Sequence, residues 1–254
     1  MFNMIKADLY RMSKNKGMIL FFIFIIIDYS ISLFAKMPGG LSFGMPAVFG
    51  ENAKLDVRMM GMNFTWFYLL IMPVFVIITA DFGEKTIKNT ISSAISRKKY
   101  YAVKVVFAEI VTVVSFLGAN VLFYILNSVI NGEDYSSEFS VFFRIVILQL
   151  PIFMAVTAVL TLVAFWVKRI AAYNSITIIT PIVYTLIALT MYNIKTTQKL
   201  AEDFLLKYEV GYMLNQIAAD CGKTYLGQCI VGSSVMGVLA LIAGYMLFTK
   251  RELD

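Results

Sequence analysis

Six predominantly apolar runs punctuate the chain, at about 18–35, 62–80, 101–130, 139–166, 172–192 and 226–248. Each is long enough to cross a hydrocarbon core of about 30 Å as a helix. The pattern therefore predicts an all-α polytopic membrane protein with six transmembrane helices, forming a single transmembrane domain over 1–254. Pro73, Pro151 and Pro181 fall inside runs two, four and five, where each removes one backbone donor and predicts a kink.

The segments between the runs have patterns of their own. In residues 1–16, Phe2, Ile5, Leu9 and Met12 recur on one helical face, with Lys6, Arg11 and Lys14 elsewhere, which predicts an N-terminal amphipathic helix lying in the membrane interface. Residues 36–61 are rich in Gly, Pro and Met and read as a loop on the outer side. The stretch from Asp81 to Lys104 carries Lys85, Lys88, Arg97, Lys98, Lys99 and Lys104 between runs two and three. Within it Ile87, Ile91, Ala94 and Ile95 keep helical spacing, so its middle is expected to be an amphipathic helix with Lys85, Lys88 and Ser92 turned away from the membrane. Asn131 to Glu138 is a short acidic loop with a turn signal at Asn131-Gly132. Residues 193–225 are the least hydrophobic part of the chain, yet Leu200, Phe204, Tyr208 and Ile217 still trace an apolar pattern broken at Gly211. Short helices at the outer surface are expected there.

Composition agrees: 59% of the 254 residues are hydrophobic and 15% charged, and the mean hydropathy is +0.77, which excludes an ordinary soluble domain. The net charge of +6 does not indicate nucleic acid, because the cations come in short groups between apolar runs. Counting along the six-span topology, fourteen Lys and Arg fall on the side that holds both termini, and nine of the sixteen acids fall on the other. Both termini are expected in the cytoplasm. The first run lacks a small-x-small cleavage site and is expected to remain as span 1.

Candidate chemistry is sparse. The chain has no histidine and two cysteines, Cys221 and Cys229, which are expected to be independent thiols because Cys229 falls inside the last run and Cys221 before it. A histidine-based triad is excluded, and no residue set suggests a metal site or a catalytic centre. Asp28 sits in the middle of run one, a costly position that marks either a structural hydrogen bond or part of a transport path. Glu109, in the first turns of run three, is expected to pair with Lys104 or Lys98. Ser233, Gly237, Ala240 and Gly244 share one face of run six, as close helix packing within a subunit or across a dimer requires. Gly222-Lys223-Thr224 imitates the end of a phosphate-binding loop, but Ile217 stands where that loop needs its first glycine. The chain carries no ATPase motif, and no enzymatic activity is expected of it.

The segment TIKNTISSAISRKKYYAVK resembles the stretch after the second span in membrane (permease) subunits of type-2 ATP-binding-cassette (ABC) transporters. In that family the pattern runs roughly Gly-Thr-Ile/Leu-Lys-Asn, then Ser, Ser-Arg, Tyr and Lys. Thr86, Ile87, Lys88, Asn89, Ser92, Ser96, Arg97, Tyr100 or Tyr101, and Lys104 take those places, while Lys85 stands where the family usually has Gly. The ending Phe248-Thr249-Lys250-Arg251-Glu252-Leu253 is similar to the family's Phe-x-x-Arg-Asp-Leu close. The likeness in plan extends over the whole chain.

The resemblance implies a permease that pairs with a second permease copy or paralogue and with two cytoplasmic ABC ATPase subunits. ATP and Mg would be bound by those partners and no cofactor by this chain. Residues 81–100 would form the coupling helix, with Glu84, Lys85, Thr86, Lys88, Asn89, Ser92 and Arg97 as its ATPase-coupling residues. The chain looks most like small bacterial permeases that export antimicrobial or toxic peptides or protect their producer from bacteriocins. The expected setting is the bacterial plasma membrane and its lipids, with a hydrophobic or amphipathic peptide as preferred cargo. A drug, a lipid or a polysaccharide is the alternative cargo. A non-transporting immunity or sensor protein is the alternative function.

Overall fold

The computed structural model describes residues 2–35, 60, 61, 63, 65–83, 87, 91, 95–131, 138–167 and 169–250, and over these the chain is helical with no strand. The N-terminal helix α1 covers Phe2–Lys14 and is followed by α2 over Lys16–Ala35. Next come α3, Trp66–Gly83, and α4, Arg97–Asn131. Helices α5, Phe139–Val167, and α6, Ile170–Asn193, are joined by a short return. Two short helices follow: α7 begins at Gln198–Leu200 and runs on as a π-helical stretch Ala201–Leu206, and α8 covers Val210–Ala218. The last helix, α9, covers Lys223–Lys250. Six of these, α2, α3, α4, α5, α6 and α9, are long and apolar enough to cross a membrane, as a multi-pass membrane protein requires.

Local chemistry explains several joints. Asn15 separates α1 from α2 and caps the latter, its side-chain oxygen accepting from the Gly17 backbone N–H at 2.7 Å. Within α3, Pro73 has no N–H to give to the carbonyl four residues back, and the regular α winding does not continue past Val74. The α-helical turn ends at Val74, and Phe75–Thr79 is wound as a π-helix before the α form resumes at Ala80. Glu209 caps α8, accepting from Tyr212 N at 2.7 Å.

Packing centres on α5, which buries residues along its whole length, Phe142, Val146, Phe153, Ala164 and Phe165 among them. Beside it, Trp66 of α3 lies edge-on to Phe116 of α4 at 5.1 Å and to Phe21 of α2 at 6.2 Å between ring centroids. Helix α9 lies along α5, and α6 is the most peripheral span: of its residues only Tyr173, Thr177 and Ala188 are buried. Helix α8 is drawn into the core by Met213, Leu214, Ile217 and Ala218. On α7, by contrast, the expected apolar residues Leu200 and Phe204 are exposed, and Ala201 is the residue that is buried.

One end of the bundle gathers α1, the end of α3, the start of α4 and the end of α9. Arg11 reaches Asp81 there, and the Tyr100 and Phe248 rings lie 5.8 Å apart. The other end is closed by a polar knot. Asn63 Nδ2 donates to Gln149 Oε1 at 2.8 Å, and Gln149 Nε2 donates to the Gly61 carbonyl at 2.6 Å and the Leu214 carbonyl at 3.4 Å.

Candidate functional site

Three buried charged residues, Asp8, Asp81 and Lys104, converge where the stretch between α3 and α4 begins and ends. Asp81 lies in the last turn of α3, Tyr100 and Lys104 in the first turns of α4, and Asp8 and Arg11 on α1. Lys104 is 1% exposed, Asp81 3% and Asp8 7%, so none of the three charges is solvated by water. Lys104 Nζ donates to Asp8 Oδ1 at 2.7 Å and to Asp81 Oδ2 at 2.7 Å. The Tyr100 hydroxyl donates to the same Asp81 oxygen at 2.6 Å, and the Arg11 guanidinium bonds the other. Two carboxylates face two cations, so the cluster can be neutral as a whole, which is what buried ions require.

Its geometry has a mechanical consequence. Tyr100 and Lys104 clamp the end of α3 to the start of α4, and Asp8 and Arg11 add α1 to the same clamp. The connecting residues 84–96 are therefore fastened at both ends. Of these, Ile87 and Ile91 are helical, Ile87 is 4% exposed, and Ile91 and Ile95 pack against the core. Glu84, Lys85, Thr86, Lys88, Asn89 and Ser92 lie outside the described residues. Arg97, the first residue of α4, donates from Nη1 to the Thr249 carbonyl at 3.5 Å and so touches the last turn of α9.

On helix α1, two residues of the expected apolar face, Ile5 and Met12, pack against the core. Met4, Ile5, Asp8, Arg11, Met12 and Asn15 are turned inward, and Leu9 is 53% exposed. The inward stripe carries the ion partners of Lys104 and Asp81. Burial pushes the Asp8 carboxyl above the ordinary aspartate range, with Lys104 pulling the other way. Its second oxygen, Oδ2, has no hydrogen-bond partner among the described residues. The expected pairing of Glu109 is not observed. Lys104 is committed to Asp8 and Asp81, and Glu109 Oε2 is buried with no hydrogen-bond partner among the described residues.

Asp28 is 6% exposed, and its Oδ1 accepts from the Thr65 hydroxyl at 3.0 Å. It borders a pocket of about 380 Å³ between α2, α3 and α6, walled otherwise by apolar and aromatic side chains such as Phe24, Tyr68, Met72 and Ile182. Next to it in sequence, Tyr29 receives the Trp66 indole N–H at 3.2 Å and donates to Asn63 at 3.4 Å. Asp28 and the ionic cluster are thus separate sites.

The small residues of α9 face α5. Ser233, Gly237, Ala240 and Gly244 are all buried. A Cβ on Gly237 would sit 3.2 Å from the Ala155 Cα, and one on Gly244 would sit 2.7 Å from the Tyr101 hydroxyl. That hydroxyl donates to the Leu241 carbonyl at 2.7 Å.

Sequence reading missed Asp8, Asp81 and Tyr100 as a unit. A signal was present: an acid at position 8 falls between Met4, Ile5 and Met12 on a helix, and an acid on an apolar stripe needs a buried cation. Comparison with protein-family models, with curated proteins and with solved structures gives no match for this chain.

Proposed function

We propose that the chain is the permease subunit of an ATP-driven type-2 ABC exporter. In this reading residues 81–100 form the coupling helix between spans α3 and α4. The observation that carries it is the clamp around that connection. An external ATPase can do mechanical work on a membrane subunit only through an element joined firmly to several spans, and Asp81, Tyr100 and Lys104 join α3 to α4 at the connector's two ends. Asp8 and Arg11 carry the same displacement into α1. Ile87 is buried, and the sequence pattern expects Lys85, Lys88 and Ser92 on the opposite side of an amphipathic helix, toward a partner.

The rest of the assembly follows from chemistry. The chain has no nucleotide-hydrolysing motif, so ATP and Mg belong to cytoplasmic partner subunits, and the basic excess on the side of both termini favours the cytoplasm for that side. A second permease, identical or related, completes the path. The pocket beside Asp28, apolar with one carboxylate at its border, suits a hydrophobic or amphipathic cargo, with a peptide preferred for a role in export or self-immunity.

The test is a Lys85, Lys88 and Ser92 triple alanine variant, coexpressed with the ATPase that copurifies with the wild-type chain and reconstituted. Cargo movement is expected to fall while the spans remain folded and ATP hydrolysis continues without cargo stimulation. Normal transport by an assembled variant would sink the coupling assignment. For cargo, ATPase stimulation is measured across amphipathic peptides, drugs and lipids; a response to drugs or lipids alone would remove the peptide preference.

A further inference from the structure

A second cavity of about 560 Å³ lies away from Asp28 and from the ionic cluster, between α1, α2 and α4. Its walls run from Leu9 and Met12 on α1, along α2 from Met18 to Leu33, and along α4 from Phe107 to Leu126. On α4 the lining residues recur three and four apart, and at about 1.5 Å per residue the stripe extends nearly the full depth of a bilayer core. Its polar groups are largely spent on the protein: the Ser115 hydroxyl donates to the Val111 carbonyl at 2.6 Å, and the Tyr29 hydroxyl is engaged with Asn63 and Trp66. The middle of the wall is shallow, because a Cβ on Gly118 would meet nothing within 4 Å. Such a groove takes hydrocarbon chains.

Basic residues border the end of the groove beside α1, where Lys14 and Lys16 lie two residues from the lining residues Met12 and Met18. Lys14 and Lys16 stand exposed at the α1–α2 corner, and Lys98 and Lys99 at the start of α4. The one acid of α1, Asp8, is buried and committed to Lys104. We propose that this groove binds an anionic glycerophospholipid, its acyl chains along α2 and α4 and its phosphate at Lys14 and Lys16. A second copy of the chain is a poorer occupant. A two-fold interface here would bring two lysine-bearing corners together at the same membrane depth, and among the described residues of α1 the one acid, Asp8, is buried.

The experiment uses the full chain purified in mild detergent, with dioleoylphosphatidylglycerol and dioleoylphosphatidylcholine as probes. Retained lipid is counted by native mass spectrometry, and oligomeric state is measured on the same samples. Wild type is expected to retain phosphatidylglycerol over phosphatidylcholine. Gly118→Leu, whose Cβ meets nothing within 4 Å and whose longer side chain projects into the groove, is expected to abolish that retention. Lys14→Gln with Lys16→Gln is expected to lower it by about thirty-fold, from the usual contribution of two lysines at an anionic surface. Gly232→Leu, on an equally open face of α9, is the control and is expected to change nothing. Equal retention of the two lipids, or equal loss from Gly118→Leu and Gly232→Leu, overturns the proposal. So does a Gly118→Leu variant that separates a dimer while keeping its lipid, a result that would give the groove to a second copy.

Discussion

Replacing Lys104 by Met tests the ionic clamp most severely. The substitution keeps length and apolar bulk in a side chain that is 1% exposed, so its cost is electrostatic rather than a cavity. Asp81 retains Arg11 and Tyr100, whereas Asp8 loses the cation at 2.7 Å and keeps only Arg11 at 3.9 Å. Removing one partner of a buried pair costs about 3–5 kcal/mol, which is roughly two to three and a half decades in the folding equilibrium. Asp8→Asn combined with Lys104→Met removes the stranded charge. The double variant is therefore expected to be more stable than the sum of the single losses predicts, by about 0.5–3 kcal/mol. The pH dependence has a definite sign. Asp8 holds its proton to higher pH in the folded chain than in the unfolded one, because burial raises its affinity for the proton. Its contribution to stability is then fully present below the ordinary aspartate range and declines as pH rises through the raised value. The cost of Lys104→Met should accordingly be larger at pH 8 than at pH 5. Reversible unfolding in mixed detergent micelles, followed by far-UV circular dichroism, gives all four corners of the cycle. Additive losses, or a Lys104→Met cost that grows as pH falls, would refute the clamp.

Other consequences concern packing and the polar knot. Gly237→Leu is expected to destabilise by about 1–3 kcal/mol through overpacking against the Ala155 backbone, whereas Gly232→Ala, with open space at its Cβ, should be neutral or stabilise by up to about 1 kcal/mol, as thermal unfolding in one detergent would show. Gln149→Leu removes one partner each from the Asn63 amide and the Gly61 carbonyl, which keep each other at 3.0 Å, and should cost about 1 kcal/mol in the same assay. Tyr100→Phe keeps the ring beside Phe248 and removes one hydrogen bond to Asp81, so it should cost about 1–2 kcal/mol, less than Lys104→Met.

The spans were legible in the sequence because a bilayer imposes length and apolarity on each crossing separately, and local composition carries both. The small face of α9 was legible for a similar reason, since three-and-four spacing places Ser233, Gly237, Ala240 and Gly244 together whatever they meet. Its partner, α5, was not legible: that depends on tertiary packing. The ion partners of α1 could not be read from apolar spacing, because they lie 70 and 96 residues away, at Asp81 and Lys104. Lys104 counts in the sequence among the topology charges, as an expected partner of Glu109 and as the end of the Thr86 to Lys104 pattern, but nothing local marks it as a buried cation. The π-helical stretch at Phe75–Thr79 follows from how the chain repairs the donor missing at Pro73, and several repairs suit the same sequence.

The central claim is that residues 81–100 meet an ATPase, and proximity is its most direct measure. A photo-crosslinking amino acid at position 88, and as a control at exposed position 199 between α6 and α8, is activated in native membranes and the adducts are sequenced. The account predicts that position 88 captures a subunit carrying a phosphate-binding loop, in a yield that changes when ATP is trapped, and that position 199 does not. Capture of such a subunit from position 199, or its absence from position 88 in a folded, membrane-inserted chain, would contradict it.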